Sequence, residues 1–245
     1  MSLRRILVPL DGSPIAESAL GFALMLPSTA VQLLTVLDGP KGGFTTASNA
    51  ATYLSTIADR FTYRGIAIET TIDTGPPAAV IARQAANDHL VVMTSSGAGH
   101  ATTGSVAHAV ADHSPVPVIL LRITPPDTTD PMVVRLVIPI DGISPFEHRA
   151  AVCGELAADL GLRVKIVAVP GKENDVEQVV RILRHHDVQS DIQMVADASP
   201  AALADIVRPH EIVVVEATGS GAASSSGLHA LMDRCTGPVL IVPTG

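Results

Sequence analysis

The sequence predicts an α/β fold built twice, each copy a doubly wound parallel sheet of five strands covered by helices. Three observations predict it. An octapeptide recurs as RILVPLDG at 5–12 and RLVIPIDG at 135–142, placing Asp11 and Asp141 130 positions apart in a 245-residue chain. That length suits two domains of roughly 120 residues, each able to bury a core without staples. Short β-branched runs alternate with helical patterns along both copies, as parallel strands joined by crossover helices require. Finally, 47% of residues are apolar and 16% charged, with only four Phe, two Tyr and no Trp. A core of Val, Ile, Leu and Ala fits strands buried on both faces, and a disordered chain is excluded.

In the first copy the apolar runs place strands at about 5–10, 31–37, 66–72, 89–94 and 117–122. Helices are expected between them, near 14–26, 45–64, 76–87 and 105–114. Ser13-Pro14 reads as a cap followed by a proline at the first helical position. The second copy repeats the order with strands near 134–140, 163–169, 188–195, 211–216 and 238–242, again with helices between. Ser144-Pro145-Phe146-Glu147 reads as a capping box opening its first helix. The copies end alike, PVILLR at 117–122 against PVLIVP at 238–243, each preceded by a β-run and a Gly/Ser/Thr-rich loop. Between them ITPPDTTDP (123–131) has the composition of an extended linker. The expected domains are 1–123 and 133–245, joined by 124–132.

Net charge is −8, so the field repels phosphate polymers and argues against nucleic-acid partners. The apolar runs fall far short of the ~20 residues of a membrane span. Pro9 and Asp11 interrupt the start too early for a signal peptide. Cys153 and Cys235 sit in no metal or redox spacing, and the expected compartment is the reducing cytoplasm. His185-His186 and the pair His108 and His113 lack the convergent ligands of a metal site. Glu173, Asp175 and Glu177 read as an ordinary acidic first turn.

Ligands of open parallel sheets bind beyond the carboxyl ends of the strands, where the strand order reverses. Two segments fall there. One is Pro9-Leu10-Asp11-Gly12-Ser13; the other runs from Thr94 through Gly97, Gly99 and His100 to Gly104-Ser105. Three glycines, six hydroxyls and no carboxylate, opening onto a helix start, make a cradle for phosphates. The alternative is a plain surface connection, and Asp11 and Asp141 are alternatively simple helix caps. A Walker loop is excluded because the chain has three lysines and none lies here. Thr102 stands where a dinucleotide fingerprint needs its third glycine, and no Gly-x-Ser-x-Gly elbow exists.

A strand ending Val-Pro-Leu-Asp-Gly-Ser, a late glycine loop ending Gly-Ser-Val and a following Pro-Val-Ile-Leu-Leu resemble the universal stress protein family. The resemblance spans both copies, as in a tandem member, and implies Rossmann-like domains of the adenine-nucleotide alpha-hydrolase type. It implies that Asp11 accepts from ribose or adenine, with Pro9 and Val36 as an apolar wall. Thr94, Gly97, Gly99, Gly104, Ser105 and Val106 then fall on the phosphate loop. Two departures stand out: Thr94 replaces the leading glycine, and only six residues separate Gly97 from Gly104. In the second copy Ser225-Ser226 occupy the Gly104-Ser105 positions, counting back from Pro238.

The resemblance implies a stress-response regulator that binds ATP or another adenine nucleotide, with Mg²⁺, mainly in the first domain. No general base or lysine accompanies the loop, so at most a weak ATPase is expected. The alternatives are a nucleotide-free interaction scaffold and, furthest from the pattern, an adenylyl-transferase-like enzyme. Protein partners are expected but unspecified. The apolar last strands are expected to pair within the chain as a pseudo-dimer, with homodimer formation as a further option.

Overall fold

The computed structural model describes residues 5–28, 30–39, 43–61, 66–87, 90–95, 105–122, 135–140, 146–217, 231 and 234–243. The chain divides into two compact units, Ser2–Ile123 and Thr124–Gly245.

In the first unit the elements run β1 (Arg5–Pro9), α1 (Pro14–Ala23), β2 (Ala30–Leu37), α2 (Ala47–Phe61), β3 (Ala67–Thr74), α3 (Pro77–Ala85), β4 (Leu90–Thr94), α4 (Ser105–His113) and β5 (Val118–Leu121). The strands are parallel in the order β3-β2-β1-β4-β5. β1 therefore lies between β2 and β4, in register Pro9↔Leu34 on one side and Ile6↔Leu90 on the other. Ile6, Leu7 and Val8 are fully buried, as are Leu90, Val91 and Val92, because helices cover both faces of the central strands. Removing each such side chain from water contributes about 1.5–3 kcal/mol. α2 shows how a helix is fixed to this sheet. Ala50, Leu54 and Ile57 recur on one face and are buried, and the helix packs on β3 and β2.

The second unit repeats this as β6 (Arg135–Ile140), α5 (Glu147–Leu160), β7 (Arg163–Ala168), α6 (Glu173–His185), β8 (Ser190–Met194), α7 (Pro200–Ile206), β9 (Glu211–Glu216) and β10 (Val239–Val242). Its parallel order is β8-β7-β6-β9-β10, the same topology element for element. The helix expected between β9 and β10 lies outside the described residues.

Two local expectations are corrected. α5 begins at Glu147, not at a box on Ser144; Phe146 is the flanking residue, and its N–H donates to the Glu147 carboxylate at 3.3 Å. With Glu147 at the first helical position, it cannot take the third-position role that a capping box needs. β8 begins at Ser190, two residues late. The Val188 N–H is used by the Leu183 carbonyl at 3.0 Å to close α6, with Asp187 left-handed at φ 57°. The sequence also left unread a buried ion cluster. Lys165 Nζ donates to both Glu211 oxygens at 3.1 and 2.9 Å, and Arg135 Nε stands 3.5 Å away from Glu211.

Candidate functional site

At the carboxyl ends of β1, β2 and β4 the first unit brings together Pro9, Val36 and Thr94. Strand order reverses here: the chain leaves β1 toward β2 and later returns on its other side as β4. Pro9 and Val36 are half-buried and Thr94 is buried. Past β1, the Leu10 N–H donates to the Leu34 carbonyl at 2.8 Å, and Thr35 Oγ1 donates to the Leu10 carbonyl at 3.1 Å. These two bonds carry the ladder one residue beyond the strand and deliver Asp11 to the rim.

Asp11 Oδ1 accepts from the Ser13 N–H at 3.0 Å and from the Ser13 hydroxyl at 2.6 Å. Ser13 Oγ in turn accepts from the Ala16 N–H at 3.1 Å and caps α1, with Pro14 at the first helical position. The serine caps as expected, and the aspartate is the group that orients the cap. Gly12, at φ 86°, makes the turn between them.

Gly43 and Phe44, just before α2, lie on this turn. A Cβ on Gly12 would come within 2.8 Å of Phe44 Cζ, and one on Gly43 would collide with the Asp11 carbonyl. Phe44 stacks tilted on Tyr53, centroids 4.9 Å apart. The Tyr53 hydroxyl donates to Glu17 Oε1 at 3.2 Å, and Arg60 pairs with Glu17 Oε2 at 3.2 Å. Burial first, then the Glu17 carboxylate, pushes the Tyr53 phenol well above its ordinary range; Asp11 adds to this. Phe44, Tyr53 and Glu17 were not foreseen. The signal was a Gly-Gly-Phe run after β2 in a chain with four Phe and two Tyr.

Asp73, on β3 beside Val36, is held by the Gln84 amide at 2.7 Å, the Thr74 N–H at 2.8 Å and Arg83 at 2.8 Å. Its carboxyl is lowered to about 2 by these bonds, the Gln84 contact largest. Arg83 is thereby committed to Asp73. Of the glycine loop, Gly97, Gly99 and Gly104 lie outside the described residues. Ser105 begins α4 and half-buried Val106 follows it. Asp141 and the second copy's loop residues Thr218–Gly227 also lie outside. Among the described residues, no group of three His, Cys, Asp or Glu side chains is placed to hold a metal ion, and no helix is long and apolar enough to cross a membrane.

Comparison with known proteins gives the following. The universal stress protein family model matches residues 2–122. Among solved structures, a universal stress protein from Archaeoglobus fulgidus DSM 4304 superposes with a TM-score of 0.75 at 17% identity, covering 100% of this chain and 97% of that one. A functionally unknown protein from Pseudomonas aeruginosa PAO1 gives 0.65 at 15% identity, covering 98% and 92%. The cytoplasmic domain of a prokaryotic cation chloride cotransporter gives 0.63 at 9% identity, covering 98% and 95%. At these identities the structural likeness is one of fold. No curated protein matches the chain.

Proposed function

The chain belongs to the universal stress protein family through its first unit, residues 2–122, and from that premise we propose that this unit binds an adenine nucleotide as a regulatory ligand. The observation that carries the reading is the convergence of Pro9, Asp11, Val36 and Thr94 at the point where strand order reverses. Pro9 and Val36 supply an apolar wall, and the carboxylate of Asp11 accepts from a ribose hydroxyl or the base. The phosphates are assigned to the sequence through Gly97, Gly99 and Gly104, whose composition suits backbone N–H contacts, and to the helix start at Ser105 and Val106.

Lysine is absent from that loop, and Arg83 is paired with Asp73. Backbone dipoles alone neutralise a triphosphate poorly, so Mg²⁺ shares the charge. Binding shifts populations of conformations or partners and needs no turnover. Stoichiometry is near one per chain. Ser225 replaces Gly104 in the second copy, and losing one or two charge-assisted hydrogen bonds, at ~1.5–3 kcal/mol each, weakens binding by roughly ten- to ten-thousandfold.

A second reading, a nucleotide-free scaffold, is favoured by Thr94 at the leading glycine position and by Phe44 lying on Gly12. One experiment separates the two. Freshly purified protein is denatured and the released small molecules are weighed by mass spectrometry. Calorimetry then follows ATP, with and without Mg²⁺, on wild type, Gly104→Val and Ser225→Val. A near-stoichiometric adenine nucleotide, Mg²⁺-dependent tight binding and its loss only in Gly104→Val support the first reading. No released nucleotide and no binding heat in either buffer would leave the scaffold.

A further inference from the structure

The two units share a strand order but cover their outermost strands differently. In the first, α2 packs on β2 and β3. In the second, the corresponding helix α6 packs chiefly on α5. One cause is visible: the His186 ring sits where a Cβ on Gly154 of α5 would lie within 2.6 Å of it, so a glycine notch draws the end of α6 onto α5. β8 is left with Ile192 and Met194, alternate residues on one side of the strand, 54% and 49% exposed. Between α6 and β8 lies a cavity of about 500 Å³.

Its lining is mixed and includes the carboxylate of Asp187 and the neutral polar Gln189 and Ser190. Val180, Val188 and Ile192 supply apolar surface, and Arg163 and Arg184 supply charge. Arg163 is already engaged with Asp191 at 3.0 Å. Arg184 makes no ion pair among the described residues. The volume is that of a small-ligand site; a protein interface needs about 800 Å² from each partner, far more than this groove offers.

We propose that this groove is a second ligand site, which takes a free amphipathic carboxylate of medium chain length. The tail lies on Val180, Val188 and Ile192, and the carboxylate is held by Arg184. A planar guanidinium pairs with a carboxylate through two parallel hydrogen bonds. A single uncommitted arginine sharing the groove with the Asp187 carboxylate suits a monoanion better than a phosphate dianion. The site is independent of the nucleotide reading, since every residue in it belongs to the second unit.

The test uses the intact chain with methyl-labelled Ile and Met, titrated with decanoate and separately with decanol, and followed by NMR. Decanoate is expected to move the Ile192 and Met194 methyl signals saturably and to leave Ile6 in place. Arg184→Gln is expected to weaken decanoate at least tenfold while leaving decanol unchanged, and Ile192→Asn to weaken both. Absence of saturable shifts at millimolar decanoate would overturn the proposal. So would equal affinity in Arg184→Gln, or shifts confined to first-unit methyls.

Discussion

Substituting Gly12 by alanine probes the turn that carries Asp11, and its cost can be worked from two separate terms. Alanine at φ 86° sits in left-handed backbone, at a cost of roughly 1–2 kcal/mol. Its Cβ also meets the Phe44 ring at 2.8 Å, inside ordinary contact, and moving the ring off Tyr53 adds about 1 kcal/mol. The total is about 2–3 kcal/mol. In a Phe44→Ala background the second term vanishes, so the same substitution costs only the backbone term. The double-mutant cycle should therefore show a coupling of about 1 kcal/mol. Both tyrosines, Tyr53 and Tyr63, lie in the first unit and the chain has no Trp. Tyrosine fluorescence in urea thus follows this unit alone. With a typical urea slope of about 2 kcal/mol per molar, the midpoint falls by roughly 1 M in Gly12→Ala. Equal costs in both backgrounds would refute the packing of Phe44 on Gly12.

Further outcomes are expected elsewhere. Lys165→Met leaves the Glu211 carboxylate buried without its main partner and should destabilise the second unit by about 3–5 kcal/mol; far-UV circular dichroism should show Lys165→Met/Glu211→Leu recovering most of it. Burial raises the Glu211 pKa, but the Arg208 N–H and Lys165 outweigh it and hold the carboxyl below its ordinary value. Its stabilisation is therefore complete above the unfolded carboxyl range, ~4.3, and is lost as pH falls through the folded value. Carbon-detected NMR should place the Asp73 titration near pH 2, and Gln84→Ala should raise it. A midpoint near 4 in wild type would discard that hydrogen-bonded geometry. Gly154→Ala should destabilise the second unit by about 1–3 kcal/mol, relieved by His186→Ala, and thermal unfolding of the pair decides it.

The described strands and helices were legible because their periodicities are long and undisturbed, as in HLVVMT and EIVVVE. Ser13-Pro14 was legible because capping is a local bargain between neighbours. The start of α5 was not, since Phe146 is buried and tertiary packing fixed where the helix begins. Pro9 and Val36 were named through the family resemblance and Thr94 through its place at the head of the glycine loop; the strand order puts all three at the carboxyl ends of neighbouring strands. Phe44 and Tyr53 could not be named, because Phe44 comes to the Asp11 turn from more than thirty residues away in sequence and Tyr53 supports it from α2. The Lys165–Glu211 pair was equally hidden: the partners lie 46 residues apart on β7 and β9. Their strands flank β6 without touching each other.

The two units share a strand order and differ in their side chains. Pro9 and Pro139 hold the same place in β1 and β6, and the strand orders match. Eight residues beyond Asp11 and Asp141, however, the first copy has Ala19 and the second Arg149. Ala19 is a fully buried methyl. Arg149 is 4% exposed, and its guanidinium donates to the Pro139 carbonyl at 2.9 Å. A buried guanidinium lies against the carboxyl end of β6, and desolvating it is tolerable only with fixed polar partners. Arg149 on α5 is thus tied to the end of β6, whereas Ala19 on α1 buries only a methyl.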